Sequence, residues 1–141
     1  LTKTQVGTCL CGAVEISIPA SSIKPSACHC GICRKLSGGG PFIALHGDET
    51  LNAKGAQYIK RYKSSDWAER CFCGECGTNL FYHLTEGSGE HFYSAGLFQE
   101  SDQDFTLVEE IFIDKKPDYY GFLDKSTKRR TGAQVFEDIS S

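Results

Sequence analysis

Short stretches in which apolar and polar positions alternate run through most of this chain. Val14, Ile16 and Ile18 alternate with Ala13, Glu15 and Ser17, the two-residue period of a strand with one buried face. Pro19 and the pair Ser21-Ser22 end that strand, and Lys24 to Cys30 reads as extended backbone. Phe42-Ile43-Ala44-Leu45 predicts a short apolar strand. From Gln57 to Lys63, Tyr58, Lys60 and Tyr62 face one way while Ile59, Arg61 and Lys63 face the other, as in a half-exposed strand whose lysines guard an edge. Leu80-Phe81-Tyr82 and His91 to Ala95 predict strands around a turn from Glu86 to Gly89, and Leu107 to Ile113 predicts another. Helical character is confined to one turn, Ile32 to Leu36, stopped by Ser37-Gly38-Gly39-Gly40-Pro41. Many short strands divided by turn residues predict a mainly β fold.

With 141 residues and 40% hydrophobic content, the chain suits one domain, small enough to profit from metal staples. Residues 1–120 form its body and 121–141 an extension of the same domain, in which Lys125, Lys128, Arg129 and Arg130 read as a solvated stretch. No apolar run is long enough to span a bilayer and no charged-then-apolar leader opens the chain, so a soluble, cytoplasmic protein without a membrane partner is expected. A formal charge of -3 excludes broad nucleic-acid affinity, which needs a basic surface.

The chemistry lies in the cysteines, eight in all. Seven fall in three tight groups, a pattern of metal ligands more than of a disulfide scaffold. Cys28, Cys30 and Cys33 form the densest. On an extended backbone Cys28 and Cys30 project from the same face, and a turn after Gly31 brings Cys33 back to them. Residues two apart are strained as a disulfide but can share one tetrahedral ion, which also relieves the repulsion of three crowded thiolates. Cys73-Gly74-Glu75-Cys76-Gly77 is a zinc knuckle, in which turn amides donate to the sulfurs. A knuckle supplies two ligands, and the remaining close pair is Cys9 with Cys11. The sequence therefore predicts two Zn²⁺ per chain. Cys9, Cys11, Cys73 and Cys76 close a structural site across more than sixty positions, and Cys28, Cys30 and Cys33 hold a catalytic ion with an open fourth position. Cys71 reads as a small core residue or a spare ligand, and His29, pointing away from Cys28 and Cys30, as a satisfied polar residue.

Gly7-Thr8-Cys9-Leu10-Cys11-Gly12, Cys28-His29-Cys30-Gly31-Ile32-Cys33-Arg34-Lys35 and Phe72-Cys73-Gly74-Glu75-Cys76-Gly77-Thr78-Asn79-Leu80, in that order, resemble the glutathione-dependent formaldehyde-activating enzyme family. The resemblance implies an Mss4-like fold of several small coiled antiparallel sheets stapled by zinc, and the same division into structural and catalytic ions. It also implies a carbon-sulfur lyase that joins glutathione and formaldehyde, reversibly, to S-(hydroxymethyl)glutathione. Cys71 is an extra thiol beside the family's knuckle.

The expected function is reversible addition of a thiol, glutathione or similar, to formaldehyde or another small electrophile. Glutathione carries two carboxylates, so an acidic protein needs local positive charge to hold it. Arg34 and Lys35, beside the three-thiol claw, are the candidates, with Ser37 as a hydrogen-bond donor. The alternative is a non-catalytic, zinc-stapled binding module or chaperone-like adaptor, which would use its metal only to hold the fold.

Overall fold

The computed structural model describes residues 3–140. The chain's start at Leu1 and its last residue, Ser141, both within the expected ranges 1–120 and 121–141, lie outside the described residues. In chain order the strands and helices begin with β1 (Thr4–Thr8), β2 (Glu15–Pro19), β3 (Ser26–Cys28), α1 (Gly31–Leu36) and β4 (Phe42–His46). They continue with β5 (Ala53–Lys54), β6 (Ile59–Ser65), β7 (Ala68–Cys73), β8 (Asn79–Leu84) and β9 (His91–Ser94). Last come β10 (Glu109–Ile111), β11 (Lys128–Arg130) and α2 (Gly132–Ser140). The expected mainly β fold is therefore what forms, and no helix among the described residues is long and apolar enough to cross a membrane.

Two compact units share the chain: one takes the residues up to Ile23 together with Ala44–Phe105, the other Lys24–Ile43 and the residues from Thr106 onward. The first unit is antiparallel throughout. β2 pairs with β1 over its whole length, Thr4 facing Pro19 and Thr8 facing Glu15, and with β5 on its other side. β9 pairs with β4 through Ala44, Leu45 and His46, and β8, β7 and β6 follow in order. The alternation in β2 does what its period requires: Val14 and Ile16 are fully buried with Leu45, Leu80, Phe81 and Phe98. β6 begins two residues later than the pattern suggests, because Ala56–Tyr58 turn as a single 3-10 helix before it. Arg61, on the face opposite Tyr62, bonds the Glu69 carboxylate that also takes His83 Nδ1 at 2.8 Å.

The second unit is built on β10, which pairs in parallel with both β3 and β11. Only Glu109–Ile111 of the expected Leu107–Ile113 strand is regular. The basic tail is not merely solvated. Arg130 binds Glu109 at 2.9 Å and Asp138 at 2.6 Å, and Arg129 Nε reaches Glu110 at 3.3 Å. α2 opens on a reciprocal cap: the Thr131 hydroxyl takes the Gln134 amide at 3.2 Å, and the Gln134 side chain takes the Thr131 amide at 2.8 Å.

Candidate metal centres

In the first unit, two tight turns deliver four sulfurs to one point. β1 runs out into Cys9, and the chain turns back with the Gly12 amide on the Cys9 carbonyl at 3.1 Å. β7 runs out into Cys73 and turns in the same way, the Gly77 amide on the Cys73 carbonyl at 2.8 Å. Gly12 and Gly77 both sit at φ +80°, a left-handed conformation that a side chain would strain, so each hook needs its glycine. Cys9 Sγ lies 3.7 Å from Cys11 Sγ, which lies 3.8 Å from Cys73 Sγ, and all four ligand atoms fall within 4.8 Å of one another. A tetrahedral ion with Zn–S bonds of about 2.3 Å separates its sulfurs by about 3.8 Å, whereas a disulfide brings them to about 2.05 Å. These cysteines form no disulfide, and their spacing fits a metal.

Polar groups around the quartet steady it. The Val14 amide donates to Cys9 Sγ at 3.3 Å, and the Thr78 hydroxyl lies 3.2 Å from Cys76 Sγ while accepting the Leu10 amide at 3.1 Å. The Thr78 hydroxyl, and after it the Thr78 amide, pull the Cys76 thiol down to about 5. Thr78→Val keeps the shape and removes that donor. Partners of this kind change metal affinity by about 10- to 100-fold. The variant is expected to release an ion held by the quartet about tenfold faster to a chelator, measured by competition with a chromogenic ligand. Cys71 stands apart from the quartet as a fully buried core thiol 3.7 Å from Arg61 Nη1, and burial pushes it up to about 12.

In the second unit Cys28 ends β3, Cys30 caps the N-terminus of α1 and Cys33 lies buried in its first turn. Cys30 takes extended angles, φ -65° and ψ 159°, and its sulfur accepts the Cys33 amide at 3.4 Å. The three ligand atoms lie within 4.8 Å of one another, and no fourth His, Cys, Asp or Glu joins them among the described residues. Crowding by Cys30 and Cys33, and after it burial, pushes the Cys28 thiol up. A bare trio therefore resists ionisation, and a cation at its centre would reverse the effect.

His29 turns the other way, as strand geometry requires, and is fully buried. Its Nε2 lies 3.0 Å from Glu110 Oε1 and its Nδ1 2.7 Å from the Tyr120 hydroxyl, so both nitrogens are engaged away from the claw. Glu110, only 2% exposed, also accepts the Thr127 hydroxyl at 2.6 Å and Arg129 Nε at 3.3 Å. Burial acts to raise its carboxyl, but the bonds from Thr127, His29 and Arg129 hold it below the ordinary carboxylate value. An ionised Glu110 accepts the proton of His29 Nε2, which leaves Nδ1 to accept from the Tyr120 hydroxyl. Burial keeps His29 below the ordinary imidazole value despite Glu110, in agreement with a neutral ring.

Of the expected substrate contacts, Arg34 is at the claw, its Nε donating to the His29 carbonyl at 3.0 Å. Lys35 and Ser37 are exposed, and the Ser37 amide closes α1 on the Cys33 carbonyl at 2.9 Å. Sequence reasoning missed Glu110, Tyr120, Thr127 and Lys116, whose Nζ lies 5.0 Å from the Tyr120 ring centre. The one available signal was a paired acid, Glu109-Glu110, inside an apolar run.

The family model described as glutathione-dependent formaldehyde-activating enzyme matches residues 4–115. An uncharacterised lyase of Schizosaccharomyces pombe is 35% identical over 121 residues, 86% of this chain and 87% of that protein. A Halomonas elongata protein named as a glutathione-dependent formaldehyde-activating enzyme is 37% identical over 83 residues, 53% of each chain. A crystal structure of a Rhodobacter sphaeroides protein shares the fold at a TM-score of 0.56, with 21% identity, over 89% of this chain and 99% of its own. With a matched model spanning both cysteine centres and a relative alike over most of its length, the chain belongs to the glutathione-dependent formaldehyde-activating enzyme family, in the lyase class.

Proposed function

We propose that this chain is a zinc-dependent carbon-sulfur lyase that adds a thiol, glutathione or one like it, to formaldehyde or another small aldehyde, reversibly. The carrying observation is the claw itself: Cys28, Cys30 and Cys33 converge while His29, the nearest other ligand in sequence, is fixed away from them by Glu110 and Tyr120. The claw is thus the catalytic centre, and Cys9, Cys11, Cys73 and Cys76 are the structural one. Zinc held by three thiolates supplies a fourth position in which an incoming thiol is favoured as thiolate. The chain's own residues orient that thiol. Arg34 fixes its charge beside the claw by bonding the His29 carbonyl, and exposed Lys35 and half-buried Lys116 add cations for the substrate carboxylates, with Ser37 at the rim.

Cobalt substitution tests this reading. Adding reduced glutathione to the protein loaded with Co²⁺ at both centres is expected to shift the d–d bands of one ion in two. Exchange NMR is expected to show the protein speeding interconversion of glutathione and formaldehyde with their adduct. Bands that ignore every thiol tried, with no acceleration, would hand the chain to the binding-module reading.

A further inference from the structure

In the second unit the chain leaves the strand opposite the claw through a strained residue. In the parallel pairing of β3 with β10, Ile111 stands opposite Cys28, and the Ile111 carbonyl accepts the His29 amide at 3.1 Å. The next residue, Phe112, takes φ 54° and ψ 42°, the one non-glycine residue in the left-handed region among the described residues. A bulky side chain is a true outlier there, and such a conformation persists only where its surroundings over-determine it. α2 supplies those surroundings. Gly132, its first residue, leaves the room that the Phe112 ring fills: a Cβ at Gly132 would lie 2.8 Å from Phe112 Cδ1 and 2.9 Å from Cε1. The Phe136 ring meets the Phe112 ring edge-on at 5.8 Å between centroids, and the Gly132 amide donates to Asp114 Oδ1 at 2.7 Å. A turn that only had to reverse the chain would be served with less strain by glycine at this position.

We infer, on the metal reading of the claw given above, that Phe112 is a positioning residue of the claw and that α2 is the clamp that holds it. α2 seats the Phe112 ring, and the seated ring fixes the left-handed turn. The turn in its place fixes the Ile111 carbonyl, from which the backbone between Cys28 and Cys30 hangs by the His29 amide. This path runs through backbone and asks for no contact between α2 and the ion. Its consequence is preorganisation: sulfurs already held at their spacing lose less freedom when an ion binds. Cys9, Cys11, Cys73 and Cys76 belong to the other unit, whereas the claw, Phe112 and α2 all belong to this one.

Phe112→Gly tests this, since glycine adopts the left-handed turn without strain but has no ring for α2 to hold. The variant is expected to keep a cooperative melt and, when loaded with Co²⁺ at both centres, to hold the quartet's ion as the wild type does. It should release the claw's ion to a chelator at least about tenfold faster. Loaded with Zn²⁺ instead, it should exchange the His29 amide at least about tenfold faster by NMR. Gly132→Ala, which sets a methyl group against the ring from the α2 side, is expected to move both readings in the same direction by less. A wild-type value in either reading of Phe112→Gly would overturn the inference and leave the lyase reading standing, because the path from ring to claw needs both. Should Phe112→Gly fail to fold, Gly132→Ala decides on the same two readings. Loss of both ions and of the melt in both variants would also overturn the inference, since Phe112 would then hold up the fold and not the claw. If the wild-type chain binds one ion in place of two, the metal reading of the claw falls and this inference with it.

Discussion

Cys73→Ser is expected to unfold the unit that carries it. Cys73 is fully buried at the end of β7, and its sulfur lies 3.8 Å from Cys11, 62 positions away. An ion there ties the hook after β1 to the hook after β7 and removes the freedom of a long loop from the unfolded chain. Structural zinc in small domains is worth about 10–16 kcal/mol at neutral pH, against a whole-domain stability of about 5–15 kcal/mol. Serine keeps the size of cysteine but offers a poor ligand and leaves its hydroxyl in a site with no exposure. The expected result is a chain that holds at most one ion, loses the antiparallel-strand signal in far-ultraviolet circular dichroism and exposes apolar surface. A variant that still melts cooperatively with two ions bound would show that the quartet is not the staple of this fold.

The quartet and the claw were legible in the sequence because their information is local. Cys-x-Cys and Cys-x-x-Cys spacings fix where sulfurs point within one turn, and the glycine after each pair marks the left-handed residue that closes it. The alternation at Val14, Ile16 and Ile18 was legible for the same reason, since burial of one strand face repeats every second residue. What stayed hidden depends on pairing between distant segments. Glu110 reads as a surface acid within Glu109-Glu110, and only the parallel pairing of β10 with β3 and β11 encloses it beside His29, Thr127 and Arg129. α2 was missed for another reason. At nine residues it is too short for a strong helical period, yet Thr131-x-x-Gln134 was a readable capping box. The two cysteine groups are thus written in spacing, whereas the array of Glu110, His29 and Tyr120 is written only in topology.

Cys30→Ser should separate chemistry from folding. Cys30 is the N-cap of α1, where its sulfur accepts the Cys33 amide, and serine is among the residues that fill an N-cap best. The helix start should survive the exchange, as should the quartet, to which Cys30 contributes nothing. Cys28 and Cys33 would then face an ion with two thiolates in place of three, too few to hold it without a further protein ligand. The expected protein carries one ion per chain, keeps a cooperative melt and gives no glutathione-dependent cobalt shift. Loss of Lewis-acid and thiolate-activating chemistry costs several kcal/mol of barrier, so catalysed exchange should fall roughly a thousandfold or more, to the uncatalysed background. Retention of both ions with full activity would mean that the claw is not the catalytic centre. Unfolding of this variant as complete as that of Cys73→Ser would mean that the two centres do not divide structure from chemistry.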